Sequence, residues 1–212
     1  PDSIQLSNFY SEQEYEYINQ SLLLSLQLGL DKLGRMKPSY LTELYRNEML
    51  KQWLNYDESR SMETFFAEVA LQNNKSVIGL DKIGETMYML FDREPFEYQC
   101  NELKNCINYP EREVNIERTL LEQFKNGRLN DMTYTILSPD NQSTLSYSDY
   151  QIYAQRNQIW AKRLIPYLKK GGCFITLNAL YLGGDKGLIS VLRAAGYRVR
   201  PVNRILTNHK NI

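Results

Sequence analysis

The 212-residue chain carries 25 basic and 25 acidic residues, a single histidine and no strong block of either charge. That balance excludes the electrostatic footprint of a nonspecific nucleic-acid or anionic-membrane binder. No apolar run approaches the roughly 20 residues of a membrane-spanning helix, and Leu22 to Leu30 is too short and wrongly flanked to be a signal peptide. Residues 1–212 fit one domain, since domains run about 50–250 residues.

Ser11-Glu-Gln-Glu14 is a capping-box pattern that opens a helix through Tyr15, Ile18, Leu22 and Leu26. Lys37-Pro38 marks a second start, with proline in the first turn. That helix buries Leu41, Leu44, Met49 and Leu54, with Tyr45 and Trp53 nearby. Ser61 caps a third helix whose apolar stripe, Phe65, Phe66, Val69 and Ala70, reads as core packing. Asn73-Asn74 breaks it, and Ser76–Leu80 reads as a strand. Pro95 to Ile107 and Glu111 to Phe124 read as two helices, the second closed by Asn126-Gly127. Gln99 reads as structural, satisfying a buried backbone group. Asp131 to Ser148 reads as a surface loop with a short extended piece at Met132 to Leu137.

The C-terminal quarter is the most ordered pattern. Ile159, Trp160, Leu164, Tyr167 and Leu168 recur at helical spacing over Gln155 to Leu168. Pro166 predicts a kink or a short second segment there, and Gly171-Gly172 an end. Cys173–Leu177 reads as an inner strand covered on both faces. Asp185 is the expected N-cap of a helix through Leu188, Ile189, Leu192 and Ala195, closed by Gly196. Tyr197–Val202 alternates as a strand. Strand, helix and strand at this length predict a βαβ unit. The expected fold is therefore α/β: a helix-rich single domain around a small mixed sheet that includes Ser76–Leu80, Cys173–Leu177 and Tyr197–Val202.

Two places carry candidate chemistry. Asp81 ends the first strand and Glu85 follows one helical turn later, so the pair can bind a metal or do acid–base work. In the plainer alternative Asp81 caps the next helix and Glu85 is solvated. The loop Asn178 to Asp185 leaves the carboxyl end of a strand, where ligands bind in open α/β sheets. Gly183 and Gly184 there either admit a ligand or only make the turn. Cys100 and Cys106 point to different helix faces and do not pair; with Cys173 they read as buried free thiols. Asn141-Gln-Ser143 has the glycosylation pattern.

The C-terminal stretch resembles the signature of the TraB/PrgY/GumN family, relatives of the TIKI metalloproteases. The matching residues are Arg156-Asn157, Ala179-Leu180, Leu182, Gly184, Gly187-Leu188, Gly196-Tyr197, Val199 and Pro201-Val202. A second block, Val77 to Thr86 followed by Gln99, matches the family's Gly-Leu-Glu run, and weaker matches lie at Lys37-Pro38 and Phe124 to Leu129. The resemblance implies the same α/β fold, which erythromycin esterase and ChaN-like proteins share. It also implies a periplasmic, cell-envelope or secreted location in a bacterium, although no signal stands in this chain.

The family's activity is attributed to a divalent metal held through two Gly-x-x-His motifs. The second falls on Asn178-Ala-Leu-Tyr181, where both Gly and His are replaced, and a phenol is a poor ligand for a hard divalent ion. The first has no counterpart: Pro1 to Leu6 resembles the family segment just after that strand, so an N-terminal strand segment is expected to be missing. The histidine is His209, in the tail, and the family's Glu is Asp81.

These departures imply a binding or regulatory domain without the family metal site, no cofactor being expected. A peptide, a protein or a glycan is the implied ligand, held by Arg156, Asn157, Asn178, Gly183 and Gly184. Arg156 either anchors an acidic ligand or pairs with Asp81. The alternative is a metal-dependent peptidase or other hydrolase, using manganese or cobalt, whose histidine motif lies outside this chain. Asp81, Glu85 and Tyr181 then carry the catalytic roles, with Asp81 the metal ligand. An edge left open by the missing strand implies a homodimer or a partner that covers it.

Overall fold

The computed structural model describes residues 5–55, 61–137 and 147–202, with the backbone alone for 147–150. Asn141 and His209 lie outside the described residues.

Helices build the N-terminal half. In α1 (Glu12–Leu26) the capping box forms as its sequence predicts. The Ser11 N–H donates to Glu14 Oε2 at 2.8 Å, and the Glu14 N–H donates to Ser11 Oγ at 3.3 Å. These bonds satisfy donors that the first turn leaves open. The short α2 (Leu30–Leu33) follows, and α3 (Pro38–Leu54) starts on its proline. Its Leu41, Tyr45 and Met49 face inward, and α3 packs on α1, on α6 (Phe96–Asn108) and on α7 (Pro110–Lys125). Ile18, Leu22, Leu41, Leu103 and Val114 are fully buried there, each contributing about 1.5–3 kcal/mol relative to exposure.

Several polar groups of this core are matched. Gln99 accepts from the Ser39 N–H and donates to the carbonyls of Phe91 and Glu94, the backbone role its sequence position suggests. The Tyr10 hydroxyl donates to the Cys100 carbonyl at 2.7 Å. Cys100 and Cys106 are free and buried, and burial pushes their thiols up to about 11 and about 12. Cys173, by contrast, is exposed.

The expected sheet and βαβ unit are absent: no strand forms among the described residues. The period-2 pattern is nonetheless real. Ile175 and Leu177, then Tyr197 and Val199, turn alternately inward and pack with Leu80 on a second cluster. That cluster is made by Trp160, Ala161 and Leu164 of α9 (Tyr147–Lys170) with Leu188, Val191 and Leu192 of α10 (Leu188–Ala194). A strand also needs a ladder partner, and no backbone hydrogen bond joins these three segments to one another. Their outer faces are open, with Val77 57%, Phe174 74% and Val202 95% exposed. The reading of an inner strand covered on both faces fails for that reason, and Cys173 is uncovered with it.

Three other expectations are corrected. Met132 to Leu137 is helical, part of α8 (Leu129–Leu137), whose Met132 and Thr133 are buried as the helix packs on α7 and on the Ala179–Tyr181 turn. The stripe of α4 (Met62–Gln72) is not core: none of its residues is buried. Ser61 does cap α4, accepting from the Thr64 N–H. Asp185 does not cap α10; it is exposed in a turn, and Gly187 occupies the N-cap. Helix α9 runs through Pro166 to Lys170.

Candidate functional site

The site is organised by one face of α9. Tyr153, Arg156, Trp160 and Arg163 are spaced three, four and three residues apart, so they fall in a row along the helix. Against this row lie the turn that carries Asp81 and the helix that follows it, α5 (Ile83–Met87), which carries Glu85. The 3-10 turn Ala179–Tyr181 completes the site.

Asp81 accepts three hydrogen bonds from two side chains. Arg156 Nε donates to Asp81 Oδ2 at 3.1 Å, and Arg156 Nη2 donates to the same oxygen. Trp160 Nε1 donates to Oδ1 at 2.6 Å. The ion pair is mostly buried, the two side chains being 21% and 18% exposed. Burial alone would lower the Arg156 pKa; its hydrogen bond to Asp81 and the proximity of Tyr181 more than offset this and raise it.

Glu85 is held separately. Arg163 donates to both carboxylate oxygens, at 2.8 and 2.7 Å, and also to the Leu80 carbonyl. The Lys82 N–H donates to Glu85 Oε2 at 3.2 Å. The Arg163 bond, then the Lys82 bond, draw the Glu85 pKa down to about 2. The plainer readings of both acids are corrected by this geometry. Lys82, not Asp81, stands at the N-cap of α5, and Glu85 is paired rather than simply solvated.

Tyr181 is enclosed by the same helix. Arg156 Nη1 donates to the Tyr181 hydroxyl at 2.6 Å, so the phenol oxygen accepts. The guanidinium carbon lies 4.8 Å from the Tyr181 ring centre and 4.6 Å from that of Trp160, within cation–π range. Tyr153 stacks on Tyr181 with centroids 5.4 Å apart. Asn157 is fully buried; its amide donates to the Lys186 carbonyl, while Oδ1 has no partner. Asn178 is exposed and accepts from the Leu180 N–H, fixing the 3-10 turn.

Beside Tyr153 opens a cleft of about 690 Å3 between α8, the 183–186 loop and α10. Its wall mixes apolar Leu129, Tyr134 and Ile189 with polar Asn130, Lys186 and Arg193. The loop glycines are required. A side chain on Gly183 would strike the Leu129 carbonyl, and Gly184 has φ +75°, a region L-residues avoid. Tyr153 donates to the Gly183 carbonyl at 2.6 Å, and the Gly184 N–H donates to Asn130 Oδ1.

The structure thus brings Asp81, Arg156 and Tyr181 into one network, with Glu85 one turn away on Arg163. Gly183 and Gly184 line the neighbouring cleft; Asn157 and Asn178 support its loop. The sequence reading missed Trp160, Arg163 and Tyr153 as parts of this site. Their signal was available: Arg163 lies seven residues after Arg156, hence on the same face. Among the described residues, no three His, Cys, Asp or Glu side chains are grouped to share a metal ion. No helix among them is long and apolar enough to cross a membrane.

No curated protein and no solved structure matches the chain. The family model for the TraB/PrgY/gumN family matches residues 1–201, nearly the whole sequence. The chain belongs to the TraB/PrgY/gumN family.

Proposed function

We propose that this chain is a binding or regulatory domain of the bacterial cell envelope that takes a peptide or glycan in the cleft beside Tyr153 and Gly183, without the metal chemistry of its family. The observation that carries this reading is the engagement of both acids. Asp81 accepts from Arg156 and Trp160, and Glu85 accepts from Arg163 and the Lys82 N–H. To ligate a metal, each carboxylate would first have to break a charge-assisted pair. Tyr181, at the position of the family histidine, has its oxygen on Arg156.

The cleft supports the ligand class. Charged, polar and apolar side chains alternate along its walls, as in Asp185, Lys186, Ile189 and Arg193, and such a wall suits a chain with alternating polar and apolar surfaces. Envelope placement rests on family membership alone.

The test is saturable binding of a peptide and glycan panel, with turnover followed in the same samples in the presence of manganese or cobalt. Binding without turnover, weakened by Tyr134→Ala at the exposed cleft wall, is expected. Metal-dependent cleavage lost on Asp81→Ala overturns the reading in favour of a hydrolase.

A further inference from the structure

The three extended segments that form no ladder differ in how their outer faces are guarded. Tyr197–Val202 carries Arg198 and Arg200, and both are exposed. Charges so placed keep an open strand edge from pairing with another chain. Ser76–Leu80 and Cys173–Leu177 contain no charged residue. One segment is guarded and two are not.

Cys173–Leu177 is the more open of the two. Ile175 and Leu177 turn inward onto the α9–α10 cluster, while Phe174 and Thr176 are exposed. Among the described residues, no hydrogen bond reaches the backbone of residues 173–177. In the other segment the Leu80 carbonyl already accepts from Arg163. Aromatic and β-branched residues suit a pleated, half-buried surface, so Cys173–Leu177 has the side chains and the alternation of a strand without its bonds. The apolar face continues beyond it. Leu80 packs on the same cluster, and Val77 and Ile78 before it are each more than half exposed. Phe66 of α4 places its ring 4.8 Å from that of Phe174.

A partner for this segment must itself be extended, because only an extended chain offers donors and acceptors at strand spacing. A second copy of this chain supplies one. Its Cys173–Leu177 has the same open backbone and the same uncharged outer face. Two identical segments running antiparallel close about a two-fold axis, so the pairing stops at two copies. The chain's formal net charge of zero leaves no overall repulsion between them, a condition that favours association.

We infer that two copies of this chain join through Cys173–Leu177, which pairs with its counterpart as an antiparallel ladder and packs the exposed Phe174 against the facing strand. The guarded segment Tyr197–Val202 takes no part. The joint is separate from the cleft beside Tyr153 and does not depend on how that cleft is used.

The test is sedimentation velocity of the full chain over a range of concentrations, with amide hydrogen exchange followed in the same samples. A reversible shift from a 24.9 kDa species to one of twice that mass is expected. Alternate amides of residues 173–177 should slow by about tenfold or more in the larger species, while those of Arg198 and Arg200 stay unchanged. Phe174→Lys puts a charge into the ladder and should abolish the larger species; an unchanged circular dichroism spectrum shows that the variant folds. Val202→Lys, on the guarded segment, should leave the larger species intact. A single 24.9 kDa species at every concentration overturns the inference and leaves the segment to a different extended partner. A dimer that survives Phe174→Lys, or whose 173–177 amides exchange as fast as in the monomer, also overturns it. So does open-ended association weakened equally by both substitutions, the mark of nonspecific apolar contact.

Discussion

The two halves of the molecule use their hydrophobic residues differently. In the helical half, α1, α3, α6 and α7 enclose side chains such as Leu22, Leu41 and Leu103 completely, and buried polar groups such as Gln99 find backbone partners. Around α9, the apolar cluster is smaller and only partly closed: Leu80, Ile175, Leu177, Tyr197 and Val199 pack on it while remaining half-exposed. Ion pairs and stacked rings occupy its edge, where Asp81, Glu85, Arg156, Arg163 and Tyr181 meet. The first half shows what apolar periodicity builds alone. The second shows where that pattern yields to charge, and the candidate chemistry sits there.

The largest effect should come from opening the closed core. Leu103→Ala removes a fully buried side chain and should cost about 2–5 kcal/mol in urea unfolding. Leu164→Ala, in the looser cluster, should fall in the lower part of that range, because half-exposed neighbours can close over the gap. Equal losses would remove the distinction between the halves.

Asp81→Ala should come next. It strands Arg156 and the Trp160 N–H in a largely buried setting, at about 1–3 kcal/mol. The loss should shrink when Arg156→Met is already present, a coupling that a double-mutant cycle reads directly. Additive losses would mean that the pair contributes no mutual stabilisation.

Glu85 sharpens the contrast through pH. Its carboxyl is drawn from its usual 4.5 to about 2 in the folded chain, so the folded state binds fewer protons than the unfolded one between those values. The contribution of the pair is therefore fully present above about pH 4.5 and is lost as pH falls towards 2. The side chain is 39% exposed, so the effect is screened and modest. Glu85→Gln should flatten the stability profile in that window and lower stability modestly at neutral pH, where the pair of the parent chain is fully formed. A profile as steep as that of the parent chain would assign the acid sensitivity elsewhere, for instance to Glu14, whose pKa is also lowered to about 2.

The smallest effect belongs to α4. Phe65 is 58% exposed, so Phe65→Ser should change stability by no more than about 0.5 kcal/mol. A loss of the size expected for Leu103→Ala would place the α4 stripe in a core.

Legibility from sequence followed the same divide. Ser11-Glu-Gln-Glu14, Lys37-Pro38 and Asn126-Gly127 marked helix ends correctly because caps and prolines act through bonds within a few residues. The extended segments were located by an apolar run at Cys173–Leu177 and by alternation at Tyr197–Val202, but a ladder depends on distant partners, which neither pattern specifies; the sheet and the βαβ unit were inferred one step too far. Phe65 and Phe66 show the same limit, since an apolar stripe states a preference and not what covers it. Asp81, Arg156 and Tyr181 were found through motif positions. Arg163 and Trp160 were overlooked because their apolar neighbours suggested packing, although their spacing from Arg156 already placed them on its face. Asp185 looked like a cap, but the glycines at 183, 184 and 187 fold the loop so that Gly187 takes that position.

Asp81 and Glu85 are held by arginines rather than offered to a metal. The most direct test is calorimetric titration of manganese and cobalt into the parent chain and into Asp81→Ala. No stoichiometric binding that depends on Asp81 is expected. One equivalent of metal bound by the parent and lost in Asp81→Ala would contradict this, and would show that Arg156 gives up its carboxylate to a metal.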